Sequence, residues 1–146
     1  MGRTGLHVTI HTDGGARGNP GPAAGAFVIT DARTGAVLDE KGIFLGHATN
    51  NVAEYSAMIA ALRAAEAIAA VQVDVFSDSE LMVRQMTGQY RVRNKGLKPL
   101  HEAARELARK FDRCHFHHVR REKNRRADAL VNQALDDGPN VCEATG

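Results

Sequence analysis

The chain has 146 residues, 43% of them hydrophobic and 25% charged, a balance that suits one folded unit with its own core and excludes a disordered or fibrous chain. No run approaches the roughly 18 apolar residues of a membrane span, and residues 1–12 lack the apolar stretch of a signal peptide, so a cytoplasmic protein with no membrane partner is expected. The net charge of +2 hides a split: residues 84–126 carry 14 Lys and Arg against 4 Asp and Glu, and the remainder carries 5 against 13. A local net of +10 beside one of −8 points to a polyanionic partner, nucleic acid foremost.

Leu6, Val8, Ile10 and Thr12 occupy alternate positions, which predicts a half-buried strand that stops at Asp13, before Gly14-Gly15. Arg17 to Pro22 holds two glycines and two prolines and reads as a loop. Ala24 to Thr30 and Ala36 to Leu45 are the second and third strands, joined through Thr34-Gly35 in an antiparallel meander. Asn51 to Ala70 changes to helical spacing, with Val52, Tyr55, Ile59 and Leu62 in an alanine-rich background and Thr49, Asn50 and Asn51 as candidate caps. Val71 to Ser77 alternates again and stops at Asp78; the helix before it implies a crossover, hence a strand parallel to the first. Residues 79–87 and 97–111 predict two helices, Cys114 to Val119 a fifth strand, and Asn124 to Leu135 a last helix with Asn124 as candidate cap.

The order βββαβααβα describes an α/β fold, a mixed five-stranded sheet flanked by helices. We expect one domain over residues 1–146, with its core at about 6–136 and a frayed polar tail over 137–146. Met1 and the short tail favour a complete small protein, and the lack of long apolar heptads favours a monomer. Cys114 and Cys142 have no metal-ligand spacing. His7, His11, His115, His117 and His118 read as strand residues of mixed exposure, with no acidic or cysteine partner at metal-ligand spacing in the sequence.

Four acids stand out. Asp13 and Asp78 end strands, and Glu54 and Asp128 sit in early helical turns; in open sheets, sites gather at the carboxyl ends of parallel strands, where these four can meet. Clustered carboxylates repel and raise one another's pKa unless a cation joins them.

Thr12-Asp13-Gly14-Gly15, Gly18-Asn19-Pro20-Gly21-Pro22, Thr49-Asn50-Asn51-Val52-Ala53-Glu54, Ser77-Asp78-Ser79 and Asn124-Arg125-Arg126-Ala127-Asp128 occur in that order. Together they resemble type 1 ribonuclease H, over about Leu6 to Asp136. The resemblance implies the ribonuclease H-like fold and hydrolysis of the RNA strand of RNA–DNA hybrids, leaving 5′-phosphate and 3′-hydroxyl ends. It makes Asp13, Glu54, Asp78 and Asp128 catalytic ligands of two Mg²⁺ ions, with Mn²⁺ a possible substitute. By the same resemblance Asn19, Asn50 and Asn51 contact the minor groove and Thr49 a DNA phosphate. Glu80 stands where several relatives carry Gln.

The chain departs from many relatives in two places. Val119 to Asn124 holds no histidine loop and resembles a V-x-R-x-x-N-x-x-A-D subgroup, which makes Arg121 the candidate for an electrostatic role at the site. The large basic protrusion is also cut down, to Tyr90–Lys98, where Arg91, Arg93, Asn94 and Lys95 are the expected substrate-binding residues. The alternative is a hybrid-binding module without turnover, although a binder of polyanions gains nothing from four clustered negative charges.

Overall fold

The computed structural model describes residues 5–138. Five strands form one sheet in the order β3-β2-β1-β4-β5. They are β1 (Leu6–Ala16), β2 (Gly21–Asp31), β3 (Val37–Ala48), β4 (Ala70–Ser77) and β5 (Arg113–His118). β1, β2 and β3 pair antiparallel, and β4 runs parallel to both β1 and β5. The helices are α1 (Asn50–Ala67), α2 (Glu80–Met86), α3 (Lys98–Ala108) and α4 (Arg125–Asp137), with a 3₁₀ turn at Arg121–Lys123. None is long and apolar enough to cross a membrane. The mixed sheet and element order match the expectation.

Alternation explains the two faces. Val8 and Ile10 of β1 and Val73 and Val75 of β4 pack against Tyr55, Met58 and Leu62 of α1, with Leu97, Ala104 and Leu107 of the α3 region closing that side. On the opposite face Ala24, Ala26 and Val28 of β2 meet Leu130, Val131 and Ala134 of α4. α1 is buried on more than one stripe because it lies between the sheet and α3, and its alanines allow the close approach. Among the described residues, α4 covers β2 and β3 and borders β1, which leaves the β5 edge of that second face open.

Several boundaries differ from the sequence reading. β1 runs three residues past Asp13, because the ladder to β2 continues from Asp13 and Ala26 to Ala16 and Ala23. α1 ends at Ala67 rather than Ala70: Ala69 takes a left-handed conformation (φ 61°), and Ala70 already belongs to β4. α3 is shorter than 97–111, and Phe111 packs in the core from outside the helix. Asn124 does not cap α4 with its side chain. The tail expectation falls mostly on residues 139–146, which, like Cys142, lie outside the described residues; Asp137 still belongs to α4.

Candidate active site

The parallel ladder between β1 and β4 pairs Thr12 with Ser77, so the next residues, Asp13 and Asp78, stand side by side. Glu54 reaches them from the second turn of α1, whose start Thr49 caps by accepting the Val52 N–H at 3.2 Å. This approach depends on Gly14: a Cβ there would stand 2.5 Å from the Ala53 carbonyl and 2.6 Å from the Glu54 nitrogen. The result is a tight group in which carboxylate oxygens of Asp13, Glu54 and Asp78 lie within 4.8 Å of one another. Asp128, in the first turn of α4, lines the same cavity of about 330 Å³ and lies beside Asp13, but stands outside the tight group of three.

Burial sets the electrostatics. Asp13 is only 7% exposed and Glu54 9%. Burial, followed by the charge of Asp78 and the contact with Asp128, pushes the Asp13 carboxyl up to about 8. Glu54 is raised well above the usual carboxylate range, by burial first and then by Asp13 and Asp78. Burial also raises Asp78, against the opposing pull of Arg121, whose Nε lies 3.8 Å from its Oδ2. Glu54 Oε1 is buried without a hydrogen-bond partner, which ordinarily costs about 1–3 kcal/mol. Oxygen donors alone, mutually repelling and one of them orphaned, fit a hard divalent cation. A single cation answers the orphaned atom and the repulsion together.

Asn124 does more than stand at the head of α4. Asn124, buried at 1% exposure, donates from Nδ2 to the Thr12 carbonyl at 2.8 Å, across 112 positions of sequence. It pins the start of α4, and with it Asp128, to the strand that carries Asp13. It occupies the N-cap position of α4, as the sequence predicts, but its side chain makes the Thr12 bond in place of a capping bond. Asn124→Ala is expected to destabilise the fold by about 1–3 kcal/mol and to lower turnover by loosening Asp128. Unchanged melting and unchanged kcat together would refute that positioning role.

The remaining candidates take their places around the cavity. Asn19 braces Asn50, and Asn50 braces the end of β1: Asn19 Oδ1 accepts the Asn50 N–H at 3.0 Å, and Asn50 Oδ1 accepts the Ala16 N–H at 2.8 Å. Asn51 is exposed at the start of α1. In the 87–97 connection, Val92 and Leu97 anchor into the core while Arg91, Arg93, Asn94 and Lys95 are exposed. Asn94 has a structural task as well, since its Oδ1 accepts the N–H groups of Gly96 and Leu97 ahead of α3. Among the described residues, Arg91, Arg93 and Lys95 form no ion pair, whereas Arg84, Lys110 and Arg126 are held by Glu80, Glu66 and Glu40. Part of the cationic excess is thus neutralised within the fold, and Glu80 is engaged by Arg84.

The histidines are strand residues of mixed exposure, as expected, and the pairing of strands gives two of them an acidic partner that lies far off in sequence. Asp74 of β4 lies 2.7 Å from His7 Nε2 and 2.8 Å from His117 Nε2. Burial pushes the Asp74 carboxyl up, but the hydrogen bonds from His117 and His7 outweigh it and leave Asp74 below its usual range. Cys114 is half-buried, and burial raises its thiol to about 12, which leaves it an inert filler of the core edge.

The family described as reverse transcriptase-like matches residues 11–134. The chain is 44% identical over 133 residues to ribonuclease HI of Halobacterium salinarum, covering 91% of this chain and 66% of that protein. The crystal structure of the ribonuclease H1 from that archaeon has a TM-score of 0.87 at 43% identity, over 90% of this chain and 99% of that one. A ribonuclease H1 named LC11, solved in complex with an RNA/DNA hybrid, has a TM-score of 0.84 at 44% identity, over 89% of this chain and 97% of that one. The bifunctional protein Rv2228c of Mycobacterium tuberculosis is 43% identical over 131 residues, 90% of this chain and 36% of its own length. The chain therefore spans about a third of the mycobacterial relative and 66% of the halophilic one.

Proposed function

The chain belongs to the type 1 ribonuclease H family of enzymes, and from that premise we propose that it is an endonuclease hydrolysing the RNA strand of RNA–DNA hybrids to 5′-phosphate and 3′-hydroxyl ends. The observation that carries the reading is the buried group of Asp13, Glu54 and Asp78, with oxygens within 4.8 Å of one another and Glu54 Oε1 unpartnered. Two Mg²⁺ ions, or Mn²⁺ in their stead, held by these three and Asp128 would supply activation of the attacking water and stabilisation of the leaving 3′ oxygen. The chain's own contribution is to hold the four carboxylates in place from β1, α1, β4 and α4, so that little reorganisation is needed when substrate arrives.

Recognition follows from what is left to donate. The carboxamide oxygens of Asn19 and Asn50 are already engaged, so each offers a substrate its NH₂ group, a donor suited to the 2′-hydroxyl and base acceptors of the minor groove. Asn51 beside them completes the set, and Thr49 is assigned a DNA phosphate. The exposed Arg91, Arg93 and Lys95, with Asn94, follow the hybrid backbone and give affinity that falls with salt and carries no sequence preference. One ribonuclease H unit over about residues 6–136, working as a monomer in the cytoplasm, is the accompanying proposal.

The test is a labelled hybrid incubated with Mg²⁺ and with Mn²⁺, followed by analysis of product ends. RNA-strand cleavage leaving 5′-phosphate is the expected result, and hybrid binding without cleavage in either metal would leave a binding module instead.

Arg121 is the second residue to test. It is 84% exposed yet reaches Asp78 at 3.8 Å, so solvent screening limits it to roughly 1 kcal/mol. Arg121→Ala should lower kcat about fivefold with KM nearly unchanged, and Lys should restore part of the loss. A change confined to KM would assign it to phosphate contact alone.

A further inference from the structure

The open part of the sheet's second face, outside the carboxylate site, carries a cluster that this function does not use. Asp74 stands on the middle strand of the parallel trio, with His7 on β1 and His115 and His117 on β5 around it. Each oxygen of the carboxylate has its own neighbour. Oδ2 lies 2.7 Å from His7 Nε2. Oδ1 lies 2.8 Å from His117 Nε2 and 3.7 Å from His115 Nδ1.

We propose that Asp74, His115 and His117 form a second metal site, taking a borderline transition-metal ion such as Zn²⁺ through Asp74 Oδ1 and one nitrogen of each imidazole. Ligands about 2.0–2.2 Å from a tetrahedral ion stand roughly 3.4 Å apart, and the two distances from Oδ1 bracket that value. His115 and His117 are two residues apart on one strand, so their side chains share a face about 7 Å apart at the backbone, within reach of one ion. Their rings now lie 6.5 Å apart and nearly perpendicular, at 74°. His115 is the side chain that must swing inward, and at 58% exposure it has the room.

The partners are already in place. Phe76 stacks on His117 at 4.7 Å between centroids and holds that ring. His7 engages Oδ2, which leaves Oδ1 to the ion and makes His7 the outer partner that orients the carboxylate. Imidazole nitrogen suits zinc, cobalt and nickel, in contrast to the all-oxygen group of Asp13, Glu54 and Asp78. Three protein ligands leave one position for water.

The test uses the untagged chain, titrated calorimetrically with Zn²⁺ and spectroscopically with Co²⁺, in the absence of nucleic acid. A saturable Zn²⁺ site separate from any binding at the carboxylate group, and a visible Co²⁺ band of tetrahedral intensity, are expected. Both should persist in Asp13→Asn. His115→Ala, at an exposed position, and His117→Ala should each weaken binding by more than the roughly 10–100-fold cost of losing an outer partner, with circular dichroism verifying the fold. Mg²⁺ should not compete. No saturable binding, binding abolished by Asp13→Asn, or binding indifferent to both histidine substitutions would overturn the proposal.

Discussion

Asp13→Asn is expected to reduce hybrid cleavage by about 10³-fold, roughly 4 kcal/mol of transition-state stabilisation, and at the same time to make the metal-free protein more stable near pH 8. The two effects have one cause. Asp13 is the most buried of the four acids and faces Asp78 and Asp128; it is a good cation ligand because it is badly placed as a lone anion. With its carboxyl held at about 8 against an ordinary 3.8, the folded state binds the proton more tightly than the unfolded chain does. That contribution to stability is complete below about pH 4 and is lost as pH rises through about 8. The melting temperature of the metal-free protein should therefore fall over that window, and the fall should be shallower in Asp13→Asn. Mg²⁺ should raise the melting temperature of the wild type at pH 8, since it binds only the folded state, and should do little for the variant. Calorimetry at several pH values, with and without Mg²⁺, checks this. Activity within tenfold of wild type, or melting indifferent to both pH and Mg²⁺, would sink it.

Gly14→Ala should damage both the fold and turnover without touching a carboxylate. The added methyl would meet the Ala53 carbonyl at 2.5 Å and the Glu54 nitrogen at 2.6 Å, and both obstacles are backbone. No rotamer change can relieve the overlap, so β1 and α1 must separate. Overpacking of this kind costs about 1–3 kcal/mol, or roughly 4–12 °C of melting temperature for a chain of this size. The larger loss falls on chemistry, because the same separation pulls Glu54 from Asp13; a drop of about 10²-fold in kcat with weaker Mg²⁺ dependence is expected. Gly15→Ala is the control for stability, since its Cβ would find only Asn50 Oδ1 at 3.9 Å, an ordinary contact. Equal melting temperatures for the two variants would refute the steric argument.

The basic surface shows how far charge counting carries. The excess in residues 84–126 correctly marked a cationic surface, but it could not say which cations are already paired. Arg126 and Lys110 find Glu40 and Glu66, partners 86 and 44 positions away in sequence. The exposed residues between α2 and α3 remain as the segment to test for salt-dependent binding. The histidines teach the same lesson in reverse: alternation placed them on strands, and their common partner, Asp74, became visible only once β1, β4 and β5 lay side by side.

By itself the sequence determined the element order and the mixed sheet, because periodicities of two and near four residues and short loop motifs are local properties of the chain; it offered the four acids as candidates, through strand ends and the family resemblance. The tertiary structure alone decided that Asp13 lies within a strand rather than at its end, and that the Thr12–Ser77 register sets it beside Asp78. It also decided that Asn124 spends its amide on Thr12 instead of capping its own helix. The last two are contacts between residues 65 or more positions apart. Strand register and buried polar pairing are fixed by which surfaces the packed core brings together, and no local pattern of residues carries that information.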